Sequence, residues 1–257
     1  MTVPRLPPPV AALAAELAGL PGTVAVVLGG SRATATHRPD SDWDLGVYYR
    51  GSRRALDPGD VRRLGHVGHV SELGEWGPIV NGGAWLTVGG LPVDVLYRDL
   101  DEAERRLREA RAGRFEVVSQ NGYLVGAPTY VLAGELALSE PVAGELPRPG
   151  FPAPLAAAAA TRWRGRASVS LMFAGIHAGA GDAVCCSGML ASAVLCAAHG
   201  RLAERREWVL NEKRLVARAG LGDAQALLAR PGDEPADLGA TVAAVGEAIG
   251  VAPLAAR

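Results

Sequence analysis

Apolar positions recur at helical spacing over residues 10–20, behind prolines that pre-set a first turn, so the chain opens with an amphipathic helix. Gly22 ends that pattern. Thr23–Leu28 follows as an unbroken, β-branched apolar run and reads as a buried strand. Gly29-Gly30-Ser31-Arg32 is a turn signal, Arg38-Pro39-Asp40-Ser41 a second, and residues 42–49 form the next strand. Asp57 before Pro58 marks a helix start, with the aspartate as cap. Two apolar runs, 84–88 and 91–97, flank Gly89-Gly90, a strong hairpin signal. Asp99 then caps a charged helix over 100–112, whose arginines follow its glutamates at helical spacing. Residues 126–138 are mixed and fit either a strand or a helix.

Beyond residue 140 the pattern changes. Residues 141–154 hold five prolines and two glycines and read as a linker. Everything after it is helical in pattern, with breaks expected near Gly179–Gly181, at Gly200, near Gly220–Gly222 and over Pro231–Pro235. The expected division is residues 1–140, a linker at 141–154, and a helical domain over 155–257. No internal repeat is visible. Strands mixed with helices first and helices alone afterwards predict an α/β domain followed by a helical bundle.

Composition narrows the function classes. With 49% apolar and 21% charged residues the chain has the make-up of a folded protein. A formal net charge of −1 argues against a nucleic-acid partner, which needs a basic surface. Cys185, Cys186 and Cys196 show no ligand or disulfide spacing and fit a reducing cytoplasm. The leading residues, with Arg5 their early charge, lack the apolar run of a secretion signal. The apolar stretch 184–198 is interrupted by Ser187, Gly188 and Ser192 and reads as a buried helix too short to span a membrane. His66, His69 and Glu72 have the spacing of helical metal ligands, but Gly65 and Gly68 argue for solvated loop positions. His177 and His199 read as satisfied core or edge residues, and Trp76, Trp85, Trp163 and Trp208 as core packing. Ser187 lacks the context of a nucleophile elbow, and no P-loop lysine follows Gly29-Gly30.

Chemistry concentrates in three carboxylates. Side chains alternate along a strand, so Asp42 and Asp44 share one face while Trp43 and Leu45 point to the other. Two carboxylates so close repel unless a cation sits between them, and a hard divalent ion such as Mg²⁺ takes oxygen ligands of this kind. Upstream, Gly30 lets the backbone approach a phosphate, and the Ser31 hydroxyl and nearby N–H groups can donate to it. Asp94, between Val93 and Val95, stands alone on the polar face of its strand and joins the pair if the two strands pair.

Gly30-Ser31, then Asp42-x-Asp44, then a lone Asp94 in an apolar strand resembles the nucleotidyltransferase core of the DNA polymerase β superfamily, over roughly residues 23–97. The helical second half resembles that of the small-molecule antibiotic nucleotidyltransferases acting on aminoglycosides and lincosamides, with Asn211-Glu212-Lys213-Arg214-Leu215 similar to a short segment of theirs. The resemblance implies an α+β fold: a small mixed β-sheet with flanking helices, then an all-α bundle. It implies two Mg²⁺ ions held by Asp42 and Asp44, and ATP as nucleotide donor. Ser31 and Gly30 would contact the terminal phosphates. Asp94 would complete the second metal site or act as general base. Arg32, which the pattern does not require, would add a phosphate contact or cap a turn. Lys213, the one lysine among 26 basic residues, would reach a phosphate.

The activity implied is that of a nucleotidyltransferase of the EC 2.7.7 type, moving AMP to a hydroxyl of a small molecule held between the two domains. From residue 151 onward nine acidic residues face eleven basic ones, which fits a lincosamide-like acceptor at least as well as a polycationic aminoglycoside. Two other readings compete: adenylylation of a partner protein, and a nucleotide-binding module without catalysis. A cytoplasmic monomer or homodimer, with no nucleic-acid or membrane partner, completes the expectation.

Overall fold

The computed structural model describes residues 6–255; the leading residues 1–5, and with them part of the secretion-signal reading, lie outside it. Two compact units are present. One takes the residues up to Glu109 with Glu116–Asn121 and Ala127–Gly150; the other takes Ala110–Phe115, Gly122–Gly126 and the chain from Phe151 on.

The first unit opens with α1 (Pro8–Ala18), β1 (Thr23–Leu28) and a single helical turn, α2 (Gly30–Ala33), where the sequence predicts only a turn. Next come β2 (Trp43–Tyr49), α3 (Pro58–Arg63), β3 (Val67–Val70), β4 (Gly83–Val88), β5 (Leu91–Asp99) and α4 (Leu100–Arg111). A two-stranded ribbon of β6 (Val117–Val118) and β7 (Ala127–Pro128), then α5 (Val131–Leu138) and β8 (Glu140–Ala143), complete it. The sheet order is β3-β4-β5-β2-β1-β8, with β2 and β5 parallel and the other pairs antiparallel. This is the mixed sheet of the α+β fold that the resemblance implies.

Local chemistry explains the predicted boundaries. The Asp57 carboxylate accepts from the Gly59 N–H at 2.8 Å and starts α3, with Pro58 at its first position. Gly89 and Gly90 turn β4 into β5 with both φ positive, +58° and +79°, a conformation that other residues resist. Asp99 accepts from the Asp101 N–H at 3.0 Å at the head of α4.

The sheet has two different faces. One buries Val26, Leu28, Leu45, Val47, Leu86, Val93, Val95 and Tyr97 against Val10, Leu13 and Leu17 of α1, and this is the core. The alternate positions of β2 and β5 make the other face. At one end of it Arg98, only 5% exposed, is forked onto Glu135 of α5 at 2.5 and 2.8 Å. Tyr48, the register partner of Arg98, lies in the same place, and burial pushes its hydroxyl well above the usual range, so it stays neutral. The segment read as a linker begins inside the sheet: Pro141 sits in β8, an edge strand, where a missing N–H is tolerated.

The second unit is helical: α6 (Ala153–Gly179), α7 (Ala183–Glu204), α8 (Leu215–Arg218), α9 (Gly222–Leu228) and α10 (Pro235–Ile249). Breaks fall near Gly181, Gly220 and Pro231–Pro235, but not at Gly200, which lies inside α7. There a Cβ would stand 3.6 Å from the Trp163 Cβ, an ordinary contact, so the position faces α6 without requiring a glycine. By length and mean hydropathy, 1.6 over its best window, α7 is long and apolar enough to cross a membrane, contrary to the expectation from 184–198. Half of that window is buried within the fold.

His199 on α7 departs from the expectation of a satisfied histidine. It is 1% exposed, stacks on Trp163 at 4.3 Å, and neither ring nitrogen has a hydrogen-bond partner among the described residues. Burial, helped by the Arg166 and Arg218 charges, holds its pKa near 3 against the usual 6.5. Above pH 6.5 the ring is neutral whether the chain is folded or not. Below that, the unfolded chain takes a proton that the folded one refuses until pH 3. Stability of this unit therefore falls by about 1.4 kcal/mol per pH unit on acidification, up to roughly 5 kcal/mol in all. In denaturant titrations between pH 6.5 and 4.5, His199→Leu should flatten the decline; equal slopes for the two proteins would refute the assignment.

Candidate active site

The polar face of the sheet is organised around one row of register partners. Asp44 of β2 stands opposite Asp94 of the parallel strand β5, and Trp85 of β4 is paired with Asp94 on its other side. Paired residues in a sheet project to the same side. Their neighbours Leu45, Val93 and Val95 are fully buried in the core, which orients both carboxylates outward. Asp42 precedes β2 on an exposed stretch, two residues from Asp44.

On the other side of Asp44 lies the glycine turn. The Gly29 N–H donates to the Asp44 carbonyl at 2.8 Å, continuing the β1–β2 ladder by one rung. Gly30 has φ +60°, and a Cβ there would lie 1.8 Å from the Asp44 Oδ2. The backbone of Gly30 thus rests on the carboxylate, and no residue with a side chain fits. Ser31 follows inside α2, its carbonyl accepting from the Thr36 N–H at 2.9 Å.

Arg32 is engaged within the site loop. Its Nε donates to the Asp42 carbonyl at 3.0 Å and its Nη2 to the Ser41 carbonyl at 2.5 Å, while its guanidinium lies 3.9 Å over the Trp43 ring. These contacts close off the turn at Arg38–Ser41, as the second expectation for Arg32 has it, and brace the backbone that delivers Asp42. Lys213 belongs to the second unit, where it is exposed and its N–H donates to Asn211 Oδ1 at 3.0 Å. In the same segment Glu212 accepts from the N–H groups of Leu124 and Val125 at 2.6 and 3.0 Å, so these residues fasten a loop of their own unit.

Oxygen-only donors suit a hard cation such as Mg²⁺, and the missing side chain of Gly30 makes room for the Asp44 carboxylate. Among the described residues, three ligand-type side chains come within 4.8 Å of one another at His177, Asp182 and Cys185 of the second unit, and Asp42, Asp44 and Asp94 are not drawn that close. Like-charge repulsion opposes their convergence, and a divalent ion supplies the opposite sign. At the His177 group, Asp182 is already engaged as the cap of α7, accepting from the Cys185 N–H at 3.0 Å.

Sequence reasoning missed the aromatic side of the row. Trp85 and Trp76, expected in the core, are 55% exposed and half-buried respectively, whereas Trp163 and Trp208 are buried. Trp76 stacks on Trp85 at 4.6 Å, and His69, the register partner of Trp85 in β3, lies 5.7 Å from it. A signal existed: Trp85 alternates with apolar Ala84 and Leu86, which already places it on the polar face. His66 is instead paired with Glu16 of α1 at 2.8 Å.

No curated protein matches this chain by sequence. Residues 12–113 match the family model for the nucleotidyltransferase domain, a segment that contains the glycine turn and all three carboxylates. The first unit therefore carries a nucleotidyltransferase domain, and the protein is a transferase of nucleotidyl groups.

Proposed function

We propose that the protein transfers AMP from ATP, with Mg²⁺, to a hydroxyl group of a small molecule, releasing pyrophosphate. The observation that carries this reading is the pairing of Asp44 with Asp94 on the polar face, with Gly30 pressed on the Asp44 carboxylate. Magnesium held by Asp42, Asp44 and Asp94 would neutralise charge building on the phosphoryl oxygens. Ser31, at the head of the glycine turn, donates its hydroxyl to the terminal phosphates. Arg32 keeps Asp42 in place from behind. Asp94, one strand further from the glycine turn, stands on the side from which the acceptor hydroxyl must come for in-line displacement, and accepts its proton.

Charge balance and three free cysteines support a cytoplasmic protein acting on a small molecule rather than on nucleic acid. ATP labelled at the α-phosphate tests the reading. With Mg²⁺ and a panel of hydroxylated natural products, label should move to a small product and stop on chelation. Label on a polypeptide instead would favour a protein acceptor, and label that stays in ATP across the panel would overturn the reading.

A further inference from the structure

Across the sheet, the row runs from the glycine turn through Asp44, Asp94 and Trp85 to His69. Its far end is a built aromatic surface. Trp85 is stacked on Trp76 with 20° between the ring planes and flanked by His69 on β3. Trp76 can lie there because Gly83, in the neighbouring register position of β4, has no side chain: a Cβ would meet the Trp76 ring at 2.7 Å. Core packing does not explain the arrangement, because Trp85 is 55% exposed and the core lies on the opposite face. Glu75 adds a carboxylate 3.9 Å from His69.

Position decides what such a surface would hold. If the terminal phosphates sit at the Gly30 end, pyrophosphate leaves toward that end and the attacking hydroxyl must approach from the opposite one. That approach runs past Asp94 and over Trp85. Indole faces bind flat apolar or aromatic rings, and do so without demanding a particular hydrogen-bond pattern.

We propose that Trp85, supported by Trp76 and His69, is the binding platform for the acceptor, and that the acceptor is a hydroxylated small molecule bearing an aromatic or flat apolar ring. This rests on the reading of the face as a site of nucleotidyl transfer. A nucleobase is the other planar ligand with a stacking face, and the titration below separates the two.

A matched pair of probes tests the platform: 4-nitrophenyl β-D-glucoside and methyl β-D-glucoside carry the same ring hydroxyls and differ in the aromatic group. Calorimetric titration of the full chain, with Mg²⁺ and a non-hydrolysable ATP analogue present, should show the aryl glucoside binding roughly tenfold tighter. Trp85→Ala should bring the two within about twofold, with Trp85→Phe keeping part of the preference, while the protein stays folded and its affinity for the ATP analogue is unchanged. An aryl glucoside no tighter than the methyl glucoside in the wild type overturns the proposal. So does a Trp85→Ala protein that loses affinity for the ATP analogue, since the platform would then hold the base. Absence of Mg²⁺-dependent binding of the analogue to the wild type is a different failure, that of the transfer reading, and is read in the same titration.

Discussion

Asp44→Asn is expected to abolish nucleotidyl transfer, with a loss of at least about a hundredfold, while the protein remains folded. Asparagine keeps the shape of the side chain and removes the charge. The carboxylate lies between its register partner Asp94 and the backbone of Gly30, so in the proposed mechanism it faces both the metal and the terminal phosphates. Its loss therefore weakens the metal and the triphosphate together. Stability should move the other way, because relief of carboxylate repulsion raises the melting temperature slightly without Mg²⁺. Mg²⁺ with an ATP analogue should raise the melting temperature of the wild type and do little for the variant. A variant that transfers AMP at the wild-type rate would remove the metal assignment.

How far the sequence shows this site depends on the range of the interaction involved. Asp42 and Asp44 are two residues apart, which on a continuous strand puts them on one side, but β2 begins at Trp43 and leaves Asp42 on the loop before it. The Gly89-Gly90 hairpin and the Asp57-Pro58 helix start depend on neighbouring residues alone, and both were legible. Asp94 was legible as a polar residue on an apolar strand, but not that β5 runs parallel to β2 with Asp94 opposite Asp44, which is a property of strand order. The aromatic row needs two further pairings, β5 with β4 and β4 with β3, and β3 is disguised by Gly65, Gly68 and polar neighbours.

Other gaps have similar causes. β8 lies in a proline-rich stretch because an edge strand needs fewer N–H donors than a central one. Gly200 reads as a helix break when taken alone, yet it lies inside α7, where its flank packs on Trp163 of α6. Arg32 reads as a phosphate ligand by type, yet the carbonyls of Ser41 and Asp42 and the ring of Trp43 lie within its reach. Each of these depends on a partner that is distant in sequence or on loop geometry that composition does not encode.

Glu135→Gln should destabilise the first unit by roughly 3–5 kcal/mol, the usual consequence of removing one partner of a buried ion pair. Arg98 is 5% exposed and its Nε and Nη2 are both committed to Glu135, while Nη1 donates to the carbonyls of Val80 and Tyr97 at 2.7 and 3.0 Å. Glutamine can accept one of the two bonds and cannot neutralise the guanidinium, which is then left charged in a dry environment. Tyr48 gives no relief, because its hydroxyl is buried and stays neutral. The loss reaches the active site through β5, where Arg98 and Asp94 lie on the same face four residues apart. At roughly 2–4 °C per kcal/mol the melting transition of this unit should fall by on the order of 10 °C. The double replacement Arg98→Met with Glu135→Leu should recover most of that fall, since an apolar pair of similar volume needs no charge compensation. A Glu135→Gln protein melting within a degree of wild type would mean that water reaches the pair and screens it. A double variant no more stable than the single one would locate the importance of Arg98 in its bonds to Val80 and Tyr97 instead.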